Sequence, residues 1–233
     1  MFTTRHSQDR GVADFGWLKS RHTFSFGDYH DSNHMGFGPL RVINEDRVAP
    51  GAGFGKHPHQ DMEILSWVLS GTLEHKDSLG TGAQIHPGEL QRMTAGTGVT
   101  HSEFNASNSE PVHFLQIWIL PDRKGLKAGY EQRSFEPTQL ADQWRLIASG
   151  NPREGAVKIH QDVDLYAARL SAGRELAHDA ASSRKLWLQV VHGDLETEGA
   201  VLSSGDGVAW TDTTSVRVRA NSDAEILLFD MTS

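Results

Sequence analysis

Two short stretches of this sequence carry ligand-type side chains at strand spacing. His57-Pro58-His59 sets two imidazoles two residues apart, and His101-Ser102-Glu103 sets an imidazole and a carboxylate at the same interval. In a strand, residues i and i+2 point to one face. Each pair can therefore converge on a single point. Two such strands facing each other across a small barrel would offer three nitrogens and one oxygen, a donor set that suits a divalent first-row metal. Glu63 shares the parity of His57 and His59 if that strand runs on, so it is a fifth candidate. Spacing alone does not choose between Glu63 and Glu103. A lone His-x-His would read as surface decoration. A second pair at the same spacing, and a glycine-rich loop before each pair, turn the reading towards a metal site.

Composition narrows the alternatives. The 233 residues include no cysteine, which excludes a disulfide scaffold, a thiolate metal site and a cysteine nucleophile. Lys and Arg number 22 against 30 Asp and Glu, a net charge of -8, which argues against bulk binding to nucleic acid or an anionic membrane. No run of about 18 apolar residues could span a bilayer. The first twenty residues hold no apolar h-region, so a soluble cytoplasmic protein is expected. No P-loop, GxGxxG or GxSxG occurs, which leaves nucleotide cofactors and serine hydrolysis unsupported.

The elements that must position these residues read as all-β. Short apolar runs alternate with turn signals: Met62–Leu69 ends at Ser70-Gly71, Thr72–Lys76 resumes, and Leu90–Thr94, Val99–Asn105 and Pro111–Leu120 follow. Ala49–Gly55 reads as a loop because of its glycines. Residues 121–155 are polar and hold three prolines, and read as a connection between two halves. Strands are then expected at 157–160, 165–170, 185–191, 208–210, 216–220 and 225–230. A weak internal repeat links the halves. Trp67–Leu73 resembles Gln189–Leu195, and His86-Pro-Gly-Glu89 resembles Ser203-Ser-Gly-Asp206. The expected domains are 1–135, a metal-binding barrel, and 136–233, a linker and a second barrel without a metal site. In that second half His160, His178 and His192 stand alone.

These motifs resemble a known family. Gly51-x5-His57-x-His59-x3-Glu63-x7-Gly71 resembles the first cupin motif, and Gly88-x5-Thr94-x-Gly96-x4-His101-x3-Asn105 the second, with Thr94 where proline is usual. The fuller strings HPHQDMEI, LSGTLEHKDSLG, MTAGTGVTHSEFN and FLQIWILP are similar to pirins, in particular bacterial pirin-like quercetinases. The resemblance implies a bicupin, two jelly-roll barrels packed face to face, with metal in the first alone. It implies His57, His59, His101 and Glu103 as ligands, with Glu63 outside the set.

The resemblance further implies a dioxygenase that cleaves the ring of quercetin-like flavonols with O2, releasing a depside and carbon monoxide, with Glu103 as base. One divalent cation is expected, Fe2+ favoured, with Mn2+, Co2+, Ni2+ and Cu2+ open and redox-inactive Zn2+ a poor choice. The rival reading is a metal-dependent regulatory protein that binds a protein partner. Phe24, Phe26, Trp67, Phe104 and Trp118 are candidates for an aromatic pocket, with core packing the plainer reading for most. Lys56 could meet an anion or be simply solvated. His75, His86 and His113 read as structural.

Overall fold

The computed structural model describes residues 2–232. In chain order its strands are β1 (Phe2–Arg5), β2 (Gly11–Asp14), β3 (Leu18–His22), β4 (Leu40–Val48), β5 (Gly53–His59), β6 (Glu63–Ser70), β7 (Leu73–Asp77), β8 (Gly82–Ile85), β9 (Glu89–Thr94), β10 (Val99–Asn105), β11 (Val112–Ile119) and β12 (Gly129–Ser134). Then come β13 (Arg145–Ser149), β14 (Val157–Lys158), β15 (Val163–Leu170), β16 (Glu175–Asp179), β17 (Lys185–His192), β18 (Leu195–Thr197), β19 (Ala200–Leu202), β20 (Gly207–Trp210), β21 (Ser215–Ala220) and β22 (Ala224–Met231). Among the described residues no helix is long and apolar enough to cross a membrane.

Two compact units form, and neither is one stretch of sequence. The first holds residues 11–134 and 157–161, the second 2–10, 135–156 and 162–232. The N-terminal strand explains part of this, because Phe2–Arg5 pairs antiparallel with Gly207–Trp210.

In the first unit one sheet runs β12-β9-β6-β11-β4-β3-β2 and the other β5-β10-β7-β8. The central strands β6 and β11 are buried on both faces, which is why MEILSWVL and PVHFLQIWIL read as continuous apolar runs rather than alternating ones. Along the inner face of the larger sheet the residue types change in layers. Val68 and Phe114 are cross-strand partners in one apolar cluster, with Leu73 and Ile85. Ile64 and Met93 anchor another, with Trp118 against it. Between these layers lies a polar waist, where Ser66 pairs with Gln116, and Gln116 with Asn44.

Two expectations fail locally. Ala49–Gly55 is not wholly loop, because β5 begins at Gly53. A Cβ on Gly53 would lie 2.4 Å from the Glu103 carbonyl oxygen, so this glycine is what lets β5 approach β10. Residues 121–155 are more than a connection, since β12 pairs with β9 and β13 with β15.

The second unit repeats the plan, with β1-β20-β17-β22-β15-β13 in one sheet and β16-β21-β18-β19 in the other. The turn glycines of the sequence repeat are equivalent in space. Gly71 and Gly193 have φ of 76° and 83°. Added Cβ atoms would strike the carbonyls of Pro111 and Asp223, each one residue before the matching strands β11 and β22. The HPGE and SSGD turns close alike too, with the His86 N–H donating to Glu89 and the Ser203 N–H to Asp206.

Candidate metal centre

His57 and His101 face each other as cross-strand partners of β5 and β10. The register then slips, so that Glu103 stands opposite Phe54 rather than Gly55. The extra residue is a bulge in β5 at Gly55-Lys56. It puts Phe54 and His57 on the same inward face despite their odd spacing. The bulge also turns the Gly55 carbonyl onto His57 Nδ1 at 2.8 Å. Lys56 is exposed.

The three imidazoles His57, His59 and His101 meet, with ring centroids 4.4–4.9 Å apart. One ring nitrogen from each lies within 4.8 Å of the other two. Glu103 belongs to an overlapping group with His101 and His75 under the same limit. The geometry therefore brings the three predicted histidines to one point and sets Glu103 next to His101. Glu63 is elsewhere. The chain turns at residues 60–62, so the parity carried on from His59 is lost. Glu63 faces His160 instead, with its carboxylate 3.4 Å from both the His160 N–H and Nδ1.

Hydrogen-bond partners assign the tautomers. A carbonyl only accepts, so His57 carries its proton on Nδ1 and Nε2 is bare. His75, expected to be structural, is fully buried behind His101. Its Nε2 donates to Asp77 Oδ2 at 3.0 Å, which leaves Nδ1 bare. Gln91 Nε2 at 3.1 Å and His101 Nδ1 at 3.4 Å both aim at that nitrogen. His101 turns Nδ1 towards His75, and its Nε2 lies 3.0 Å from Nε2 of His57. Nitrogens bound at ~2.1 Å to one ion, at right angles to each other, are about 3.0 Å apart. The residues fit a divalent cation. His75-Lys76-Asp77 has the i,i+2 spacing of the other two motifs, and that was the available signal for this supporting pair.

Electrostatics agree with the tautomers. Burial, then the neighbouring His57, lowers the His59 pKa to about 4. Burial and three adjacent imidazoles bring His101 to about 2. Both rings stay neutral and keep a lone pair available. Burial raises the Glu103 carboxyl to about 7, against hydrogen bonds from Ser66 and Gln116 and with a further push from Asp46. Gln116 Nε2 lies 2.6 Å from Glu103 Oε2, and Ser66 Oγ 3.1 Å from Oε1. Of the five aromatic candidates, Trp118 packs edge-on against His59 at 5.0 Å, and Phe26 packs against Trp118 at 5.3 Å. Phe24 and Trp67 are core, and Phe104 is exposed. His113 pairs with Glu45 away from the centre.

A histidine cluster between facing sheets, beside a second barrel of the same fold in which the described residues form no comparable cluster, defines a metal-binding bicupin. The comparisons narrow that class. The pirin family model matches residues 3–119, and a quercetinase C-terminal cupin domain matches 146–231. The chain belongs to the pirin family. It is 47% identical, over 99% of both chains, to a protein of Escherichia coli K12 named quercetin 2,3-dioxygenase. It is 44% identical to a putative quercetin 2,3-dioxygenase of Mycobacterium bovis, over 97% of this chain and 93% of that one. The crystal structure of YhhW from Escherichia coli superposes with a TM-score of 0.96 at 47% identity, covering 99% of this chain and 97% of that one. A second structure, described as the bacterial pirin YhhW in complex with nickel(II), gives 0.95 at 46% identity over 100% and 99%.

Proposed function

We propose that the chain is a dioxygenase that opens the central ring of quercetin-like flavonols, one flavonol and one O2 giving one depside and one carbon monoxide. In this reading His57, His59, His101 and Glu103 hold one divalent, redox-capable cation, and the second barrel holds none. The observation that carries the proposal is the convergence of the His57, His59 and His101 ring nitrogens beside the buried Glu103 carboxyl. They lie in a chain 47% identical to a quercetin 2,3-dioxygenase over 231 residues.

When bound, the cation supplies positive charge that makes the flavonol 3-hydroxyl more acidic and the resulting anion stable. The chain's own residues do the rest. Glu103 accepts the 3-hydroxyl proton on a carboxylate oxygen, and a pKa of about 7 suits it to gain and lose a proton at neutral pH. Gln116 and Ser66 fix the plane of that carboxylate. Trp118 and Phe26 offer flat apolar surface to an aromatic substrate and keep water from the centre.

The test is loss of the quercetin absorbance band by metal-loaded protein, with and without oxygen, for each of Fe2+, Mn2+, Co2+, Ni2+ and Cu2+. Oxygen-dependent loss is expected with at least one metal. No consumption with any of them would overturn the proposal. Glu103→Gln keeps an oxygen donor and loses the base, so kcat should fall by roughly 10²–10⁴-fold while metal stays bound. Undiminished turnover at full metal content would remove Glu103 from the role of base.

A further inference from the structure

Close to Glu103, and lined by none of the four proposed ligands, the first unit holds a half-open cavity of about 570 Å³. Register places it. Phe54, on its wall, is the cross-strand partner of Glu103. Asn44, also on its wall, is the partner of Gln116, whose amide donates to Glu103. Two kinds of surface line this space. Phe26, Tyr29 and Phe54 supply aromatic faces. The Tyr29 ring lies directly on the backbone of Gly11, where an added Cβ would come within 2.3 Å of it. Ser20, Asn44 and Asp46 supply polar groups from β3 and β4, Ser20 and Asp46 being cross-strand partners.

The polar side is unusual in what it lacks. Asn44 Oδ1 is buried with no hydrogen-bond partner, and Ser20 Oγ and Asp46 Oδ1 are buried with none of good geometry, the Ser20 hydroxyl lying just close enough to Asp46 to favour its ionised form. Asp46 is only 4% exposed. Buried polar groups are almost always paired, and folds keep the exceptions where something else makes the bond. No lysine or arginine is among the described residues that line the cavity, while Asp14, Asp28 and Asp46 are. An anionic acid would be repelled there. A neutral aromatic ring bearing hydroxyls would stack on the aromatic faces and donate to the unpaired oxygens.

We propose that Asp46, supported by Asn44 and Ser20, is a specificity patch that receives phenolic hydroxyls on the part of the substrate remote from the oxygens facing the histidines. This rests on the flavonol reading above and adds to it what the cavity selects. Phenol hydroxyls are acidic donors, and a bond to a carboxylate is stronger than one between neutral groups. The patch therefore favours polyhydroxylated flavonols over bare ones and disfavours carboxylic acids.

The test is equilibrium binding under nitrogen at pH 8, where the Asp46 carboxyl is mostly ionised, to metal-loaded protein, with quercetin and 3-hydroxyflavone. Both carry the 3-hydroxyl and 4-carbonyl, but only quercetin carries remote hydroxyls. Wild type should bind quercetin at least about tenfold more tightly, the scale of one charge-assisted hydrogen bond. Asp46→Ala should reduce that preference below roughly threefold, with Asp46→Asn between the two, as an amide oxygen accepts more weakly than a carboxylate. If the Asp46 variants do not fold, Asn44→Ala and Ser20→Ala must each narrow the preference. Equal affinities in wild type, or a wild-type ratio in the folded variants, would overturn the inference. Because binding is read without oxygen, the two proposals fail separately. Preference without turnover would sink the dioxygenase reading and keep the patch, whereas turnover without preference would do the reverse.

Discussion

In the proposed centre, His75 and Asp77 would govern the metal without touching it. Asp77 fixes which nitrogen of His75 is bare, and that nitrogen faces Nδ1 of His101. Removing the pair frees the His101 ring to turn or to carry its proton on the wrong side. His75→Phe or Asp77→Asn should weaken metal affinity by about 10–100-fold, the usual scale for such supporting partners. Competition against a chelator measures this, and unchanged affinity would mean that packing alone orients His101. Asp46 gives a second prediction. Burial lifts its carboxyl from 3.8 to about 7, against the Ser20 hydroxyl beside it and with a smaller push from Glu45. The folded state thus holds a proton that the unfolded state releases, and stability falls as pH rises from about 4 to about 7. At ~1.4 kcal/mol per pKa unit the burden is a few kcal/mol above pH 7. Asp46→Asn should stabilise metal-free protein by that order at pH 8 and by nothing near pH 4. A pH-independent difference in denaturant unfolding would contradict this. The four proposed ligands were legible because two residue pairs sit within three positions of chain. Ser66, Gln116 and Asp46 were not, because their nearness to Glu103 exists only once three strands are in register.

Among the elements, β5 carries the most unusual demand. It must approach β10 closely at Gly53, bulge at Gly55, and still deliver two histidines inward. Gly53→Ala would set a methyl carbon 2.4 Å from one backbone oxygen and 2.5 Å from the Phe104 Cα, neither of which can yield like a side-chain tip. The expected result is a loss of a few kcal/mol, within the range for backbone clashes, together with weaker metal binding. Gly55→Ala meets nothing within 4 Å and serves as the control. Thermal unfolding with and without metal separates the two, and equal behaviour would show that β5 is free to shift. Glycine content suggested a loop here because glycine is a poor strand former on average. The sequence does not display a neighbour that only glycine can admit. The hairpins around Gly71 and Gly88 were legible for the opposite reason, since positive φ at a turn is a local requirement that selects glycine directly.

Across the whole molecule, the two barrels differ most where the chemistry lies. Register equates Ser66 with Leu188 and Gln116 with Leu228, because each pair is cross-strand bonded at the same place. On the facing sheet, Leu73 pairs with Asn105 as Leu195 does with Ala220, which equates Glu103 with Val218 and His101 with Val216. His178 stands opposite Val216 as His57 stands opposite His101, and it now pairs with Asp230 at 2.8 Å. The four replacements all belong to one apolar cluster that fills the second interior. Metal titration should therefore saturate at one ion per chain, and His57→Ala with His101→Ala should abolish it. A second tight ion, or full binding in the double variant, would break the assignment. The sequence repeat pointed to this duplication. Which positions match the metal centre could not be read from it, since two valines say nothing until pairing shows what they stand opposite.

That filled interior also has a direction in time. Val216→His or Val218→Glu alone would set a polar group among leucines, with Leu188 and Leu228 in place of the serine and glutamine and with His178 already engaged by Asp230. Each single step back is a loss until the others are present, at roughly 1–3 kcal/mol for every unpaired group. Domains of this size hold only about 5–15 kcal/mol in reserve. The hydrocarbon packing of the second barrel thus acts as a ratchet against gaining a polar centre one residue at a time. Single substitutions can refine the first barrel's centre, whereas a matching centre in the second is out of reach by that route.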